Sequence, residues 1–373
     1  MSSDPSIVRP NTVDELREAL RATESPGSTV NIAGSGSKAG WGALGRPADV
    51  VIQTTALAGV VEHAAGDLVV TVRAGTALAE LQRELAPHGQ WLALDPPEAG
   101  ATVGGVIATA ASGPHRLRYG TPRDQLIGIT VALADGTIAK SGGKVVKNVA
   151  GYDLGKLFTG SYGTLGVIVS ATFKLQPLPP ARRVVTVAAD SPGEVAGAIA
   201  RSTAMPAAAE WDGSNIHVLV ESAPAAVDSI AAGLGTVLAT SQISDRLPGA
   251  FGVRPWGPGE TALKLTHRLS ALDDVVAALR RHAPRARLSA HIGSGVITCG
   301  WSGAAADVAG TVTELRELTA SYDGTAVIVD APADVKRAVD VWGPVRGASL
   351  MHRIKDQFDP GRRLNAGRFV DGI

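Results

Sequence analysis

Between Lys147 and Val169 the chain reads KNVAGYDLGKLFTGSYGTLGVIV, and this block restricts the fold more than any other stretch. Gly160, Gly163 and Gly166 recur at three-residue spacing beside Thr159, Ser161 and Thr164, and the chain then runs into Val167-Ile168-Val169. Glycines this dense weaken an ordinary helix or strand, because glycine gives up the most backbone freedom on folding. They are explained either by a tight turn entering a buried strand or by backbone that must approach something flat or highly charged.

Two upstream segments bear on that choice. In Val30-Asn31-Ile32-Ala33-Gly34-Ser35-Gly36-Ser37-Lys38-Ala39-Gly40-Trp41-Gly42, Val30 and Ile32 alternate as in a short strand, and a Gly/Ser loop follows. Successive N–H groups in such a loop form a concave nest for phosphate oxygens. Gly34 and Gly36 begin a G-x-G, but Gly40 comes one place too late for the dinucleotide fingerprint, and the order G-x-x-x-x-G-K-[ST] is missing. Taken alone, a plain flexible turn explains this loop equally well. The second segment runs from Asp95-Pro96-Pro97 through Thr102-Val103-Gly104-Gly105-Val106-Ile107-Ala108-Thr109 to Ser112-Gly113, and on to Gly120. Its side chains are so small that a ligand or another backbone can lie on the main chain. A packed helix of small residues is the alternative, and it accounts for the alanines better than for the paired glycines.

Together the three segments resemble the FAD-binding domain of the vanillyl-alcohol oxidase and p-cresol methylhydroxylase superfamily. There the Gly/Ser loop holds the pyrophosphate, a T-x-G-G-x-I-A-T segment lies along the cofactor, and an F-x-G-S-x-G-T-L-G-V-I block passes beside the flavin end. Phe358-Asp359-Pro360-Gly361-Arg362-Arg363-Leu364-Asn365-Ala366-Gly367-Arg368 is similar to that superfamily's closing FDP…LNPGR segment. The resemblance implies an α+β protein: a two-part FAD-binding domain over 1–178, an antiparallel α+β cap over 179–335, and a C-terminal segment, 336–373, returning to the FAD domain. It implies cofactor contacts from Gly34, Ser35, Gly36, Ser37, Lys38, Pro96, Thr102, Gly104, Gly105, Thr109, Ser112, Gly113, Gly120, Gly166, Val167 and Asn365. Gly34–Gly42 holds no histidine of the kind that bonds covalently to the flavin in some relatives, so the FAD is expected to be non-covalent; His63, His88 and His115 are expected to be ordinary side chains.

Length and pattern agree with this organisation. A chain of 373 residues suits two domains. Its formal net charge is zero, with no long run of one sign, which argues against a nucleic-acid partner. No stretch approaches the ~20 apolar residues of a membrane span and the N-terminus is polar, so a cytoplasmic protein without direct membrane insertion is expected. Cys299, the only cysteine, excludes an internal disulfide and a cysteine-held cluster, and is expected in the core. Thr12-Val13-Asp14-Glu15 reads as a capping box for a helix carrying Leu16 and Leu20, and Thr76 as the cap of one carrying Leu78, Leu81 and Leu85. Strands are expected at Val50–Thr54 and Leu68–Val72, a hairpin turn at Asp135-Gly136, a stiff linker at Pro177–Pro180, and amphipathic helices over Ala271–Arg281 and Val308–Ala320.

Relatives that oxidise 2-hydroxy acids carry H-x-G-D-G-N-x-H in the cap, whose two histidines bind a divalent metal. This chain has His291-Ile292-Gly293-Ser294-Gly295-Val296-Ile297-Thr298, with Ser294, Val296 and Thr298 in place of aspartate, asparagine and the second histidine. No metal site is therefore expected. Lys264 aligns with a cap lysine that faces substrate in those relatives, and Lys264 and His291 are the candidate catalytic residues; a snorkelling lysine and a structural histidine are the bland readings. An intact flavin domain with an eroded metal motif is similar to the small FAD-binding subunits of bacterial glycolate oxidase complexes. That implies partnership with a homologous larger flavoprotein and an iron–sulfur subunit, and oxidation of glycolate or a similar 2-hydroxy acid, this chain relaying electrons or supporting the larger subunit. Two alternatives stand beside it: a self-sufficient, metal-free flavin enzyme using Lys264, His291 or Arg254, and a structural subunit that has lost the flavin, for which Ala110, often asparagine in relatives, is the one sign.

Overall fold

The computed structural model describes residues 4–143, 153–240 and 242–373. The Lys147–Tyr152 part of the glycine-rich block lies outside the described residues. The chain divides into two units: the first comprises the chain up to Ser112, Thr121–Leu178 and Pro344–Ile373; the second comprises Gly113–Gly120 and Pro179–Gly343. This differs from the expected boundaries in two places, and hydrogen bonds explain both. Residues 113–120 belong to the second unit because Arg118 Nη1 donates to the Glu221 carbonyl (3.3 Å) and the Tyr119 hydroxyl to Glu221 Oε2 (3.0 Å). The return to the first unit begins at Pro344, not 336, because Arg316 holds the carbonyls of Asp340 (2.6 Å) and Val341 (3.1 Å).

In the first unit, Ser6–Val8, Val50–Gln53 and Val30–Ala33 form a parallel three-stranded sheet in that order. A five-stranded antiparallel sheet has the order Val60–Ala64, Val69–Arg73, Val167–Lys174, Leu126–Ala132, Ile138–Gly142. The β-branched run after Gly166 is thus the centre of this sheet, with Val167, Ile168 and Val169 buried. The helix Val13–Ala22 buries Leu16 and Leu20, each worth roughly 1.5–3 kcal/mol. Thr12 Oγ1 accepts from Glu15 N (3.1 Å), but the Glu15 carboxylate reaches Asn11 N (2.8 Å), one residue earlier than a capping box would have it. Thr76 is not the cap of Leu78–Leu85; Ala77 is, and Thr76 Oγ1 accepts instead from Gly59 N (2.9 Å), tying two loops together.

The small-residue segment does contain a helix, Val103–Thr109, capped by Thr102. Ala110 ends it with φ +50°, the left-handed region. Asparagine tolerates that conformation better than alanine, so the residue preferred there by relatives is explained by backbone geometry and carries no sign of a lost cofactor. Ala110→Gly is expected to stabilise the first unit by about 1 kcal/mol, read as a higher urea midpoint at unchanged m-value. An unchanged or lower midpoint contradicts this account.

The second unit is built on an eight-stranded antiparallel sheet in the order Ile243–Ser244, Ala181–Ala188, Asn215–Ser222, Ala208–Trp211, Arg287–His291, Val296–Trp301, Thr261–Thr266, Thr325–Asp330. Strand alternation puts Leu263, Cys299 and Leu288, which pair across neighbouring strands, on one face. Cys299 is fully buried there and its thiol is pushed up to about 12 by that burial, so it is inert packing. The helices expected near 271–281 and 308–320 span Leu272–His282 and Ala305–Ser321. Among the described residues, no helix is long and apolar enough to cross a membrane.

Candidate functional site

In the first unit, the Gly/Ser loop, the start of the small-residue helix, the glycine block and the C-terminal segment converge on a cavity of about 290 Å³. Gly34, Ser35, Gly36, Ser37, Lys38, Thr102, Gly104, Gly105, Thr109, Gly166, Val167 and Asn365 all line it. Pro96 and Ser112 lie outside the lining, and Gly113 and Gly120 bound the short segment that belongs to the second unit. Tyr162, Gly163 and Arg368 also line the cavity. Gly163 and Arg368 were visible in the motifs, but nothing in the spacing assigned them a contact.

Parts of the cavity wall are bare backbone because a side chain would not fit there. A Cβ on Gly34 would overlap the hydroxyl of Thr102, which is committed to the helix cap, and one on Gly163 would lie 2.5 Å from Asn365 Nδ2. The Gly/Ser loop is two consecutive turns, closed by Ala39 N to Gly36 O (2.9 Å) and Trp41 N to Lys38 O (3.1 Å). Lys38 is only 6% exposed, donates to Ser37 Oγ (3.3 Å) and lies 6.0 Å from the centre of the Trp41 ring. Asn365, with φ +43°, accepts from Ile32 N (2.8 Å) and donates to the Tyr162 carbonyl (2.6 Å), joining the edge of the parallel sheet to the glycine block. Exposed loop backbone and a wall built in large part from glycines suit a dinucleotide with a diphosphate.

The second unit carries the other candidates. His291 ends a strand, Ile292–Gly295 turns with Gly293 and Gly295 at positive φ, and Val296 begins the partner strand opposite His291. The motif is therefore a hairpin, and residue 298, two places beyond Val296, shares the His291 face. There Thr298 pairs with Ser289 on one side and Lys264 on the other. Glu210, directly opposite His291 on the next strand, is 2% exposed and accepts from Ser289 Oγ (2.7 Å) and Gly252 N (2.5 Å). His291, Lys264, Thr298, Ser289 and Glu210 thus share one face of the sheet, with Arg116 close enough to act electrostatically on both His291 and Lys264. Burial, then Arg116 and Lys264, push His291 down to about 3, so its ring is neutral at pH 7 and its Nδ1 is buried without a hydrogen-bond partner among the described residues. Burial, then Arg116, lower Lys264 to about 8. A single imidazole, with Thr298 in place of the second histidine and Lys264 and Arg116 close by, does not make the donor set of the metal of the hydroxy-acid-oxidising relatives. Among the described residues, no group of three His, Cys, Asp or Glu side chains is placed to hold a metal. Arg254 is engaged over the Trp256 ring at 5.8 Å. His63 contacts Gln90 Oε1 (2.8 Å), with the His88 ring edge-on at 4.8 Å, and His115 lies 3.5 Å from Glu221. Arg116 escaped sequence reasoning, since it sits in a segment read as part of the flavin domain.

The glycine-lined cavity suits a nucleotide cofactor, and residues 5–142 match the family described as FAD binding domain. That match falls within the first unit, apart from the short segment Gly113–Gly120. Among curated proteins, the chain is 38% identical over 167 residues to glycolate oxidase subunit GlcE of Escherichia coli (strain K12), covering 44% of this chain and 47% of that protein. It is 32% identical over 185 residues to glycolate oxidase subunit GlcD of Bacillus subtilis (strain 168), covering 49% and 39%. It is 42% identical over 125 residues to the mitochondrial D-lactate dehydrogenase [cytochrome] 1 of Saccharomyces cerevisiae, covering 34% and 21%. The chain spans about half or less of the length of these relatives. A solved alkyldihydroxyacetonephosphate synthase shares the fold, with a TM-score of 0.68 over 96% of this chain and 76% of that one at 15% identity.

Proposed function

We propose that this chain is an FAD-binding subunit of a multi-subunit glycolate oxidase, which passes electrons for, or supports, a homologous catalytic flavoprotein. The observation that carries this reading is the state of His291. Abstracting a proton from a 2-hydroxy acid at neutral pH needs a base whose pKa lies near the working pH. An imidazole lowered to about 3, with two cations beside it, falls far short. The likeness to glycolate oxidase subunits supports the substrate class and the multi-subunit arrangement; the proposal adds an iron–sulfur subunit as electron acceptor and a cytoplasmic location. Non-covalent FAD, held through Gly34–Lys38, Thr102, Gly104, Gly105, Thr109, Gly163, Gly166 and Asn365, supplies the redox chemistry when bound. The residues of the chain supply binding and charge: the backbone of the Gly/Ser loop and Lys38 take the diphosphate, and the glycines admit the cofactor. A subunit that has lost its flavin would have no use for so much unhindered glycine backbone along one cavity.

One observation favours a second reading, a metal-free dehydrogenase. Lys264, lowered to about 8, with Arg116 beside it, could anchor a carboxylate or act as the base. Anaerobic addition of glycolate to the purified FAD-loaded chain separates the two. The subunit reading expects the visible flavin bands to persist until the larger flavoprotein is added. Bleaching by glycolate or D-lactate alone, abolished in Lys264→Met, establishes the second reading and overturns the first.

A further inference from the structure

We infer that Arg368, in the C-terminal segment, is the positioning residue of the phosphate loop, so that the segment Arg363–Arg368 completes the cofactor site. The inference rests on the FAD-binding reading and assigns a role that the motifs do not. The segment arrives by pairing: Val30 N donates to Arg363 O (2.9 Å), Asn365 N donates to Val30 O (2.9 Å), and Leu364 bridges Val30 in parallel. It stays in place because Arg46 N donates to Ala366 O (2.7 Å) and Ala43 N to Arg368 O (3.0 Å). The Arg368 guanidinium then donates to three loop carbonyls: Nη2 to Lys38 (2.6 Å) and Ala39 (3.3 Å), and Nε to Trp41 (3.0 Å). Its cation lies 5.8 Å from the centre of the Tyr162 ring, which stacks on Phe369 at 5.7 Å, so the fork is held in one orientation.

The electrostatic consequence is specific. A loop that presents N–H groups to a diphosphate also carries carbonyl oxygens whose partial negative charge opposes the ligand. Three of those oxygens, on Lys38, Ala39 and Trp41 of the Gly36–Trp41 double turn, are covered by one delocalised cation that also lines the cavity. Covering them fixes the turn, cancels the repulsive ends of its peptide dipoles and adds a positive charge to Lys38. Arginine is suited to this because its planar fork spans several acceptors, whereas lysine is a point charge.

The test measures binding of FAD and of ADP by titration calorimetry to the wild-type chain, Arg368→Met and Arg368→Lys, with Arg362→Gln as control. Arg362, in the same segment, binds Asp356 and His352 and no loop carbonyl. The expected result is a tenfold or greater loss of affinity in Arg368→Met, equal for FAD and ADP. Arg368→Lys is expected to recover part of it, Arg362→Gln to match wild type, and the visible spectrum of FAD-saturated Arg368→Met to match wild type. If Arg368→Met fails to fold, a loss of threefold or more for both ligands in Arg368→Lys carries the inference. Losses below threefold in every folded Arg368 variant, a loss confined to FAD with ADP unchanged, or a shifted flavin spectrum overturn it. Wild type binding neither FAD nor ADP overturns the cofactor reading itself and the inference with it.

Discussion

Asp359→Ala is expected to cost the first unit about 3–5 kcal/mol, the range for removing one partner of a buried ion pair. Lys355 and Asp359 are each 1% exposed at their side chains and meet at 2.7 Å, one turn apart on the helix Ala348–Phe358 and its C-terminal cap. Lys355 Nζ also donates to the carbonyls of Thr164 (2.7 Å) and Leu364 (3.1 Å), and Asp359 Oδ2 also accepts from Leu364 N (2.8 Å). Without the carboxylate, a buried ammonium faces only carbonyl dipoles, and Leu364 N loses its acceptor. Burial already lowers the pKa of Lys355, with Asp359 opposing the shift. Because Thr164 and Leu364 adjoin Gly163 and Asn365 in the cavity wall, FAD affinity should fall with stability. Hydrogen exchange in the buried strand Val167–Lys174 gives the stability of this unit directly. Lys355→Met/Asp359→Ala should lose less than the sum of the single variants, since neither leaves a lone charge. A loss under about 1 kcal/mol in Asp359→Ala would show that the pair contributes little.

The second large effect is acid sensitivity of the second unit through His291. Its folded pKa, about 3, lies below the ordinary 6.5, so between these values the unfolded chain holds a proton that the folded unit refuses. The sign follows: the contribution of this residue is fully present above pH ~6.5, is lost as pH falls, and is exhausted near pH 3. The slope is at most about 1.4 kcal/mol per pH unit, for a total on the order of 5 kcal/mol. Stability of the Thr261–Thr266 strand, read by exchange between pH 7 and 4, should fall steeply in wild type and less so in His291→Asn. Parallel pH dependences in the two proteins would mean that His291 is hydrated or paired in solution. Lys264 acts in the same direction at alkaline pH, its penalty easing as pH rises from about 8 towards 10.5.

What could be read without the structure was local. Gly34, Gly104, Gly163 and Gly166 announce themselves because a backbone wall tolerates no Cβ, and that constraint is written residue by residue. Leu16 and Leu20, or Leu78, Leu81 and Leu85, mark helix faces because the helical period repeats within a few residues. Thr76 shows the limit: its type and place suit a cap, and a tertiary partner, Gly59, takes its hydroxyl. Ala110 shows another, since a departure from the pattern of relatives looked like a lost contact and is a left-handed helix end.

The sequence by itself determined the glycine segments that line the cavity and the absence of a second histidine at position 298, because each depends on residue type at short spacing. Only the tertiary structure decided that Arg368 covers the Gly/Ser loop across 330 positions of chain, that Lys355 is buried against Asp359 and the carbonyls of Thr164 and Leu364, and that residues 113–120 bring Arg116 to Lys264 and His291. Those are pairings of charges between segments distant in sequence. Their energy comes from the burial that folding creates, and no local pattern records it.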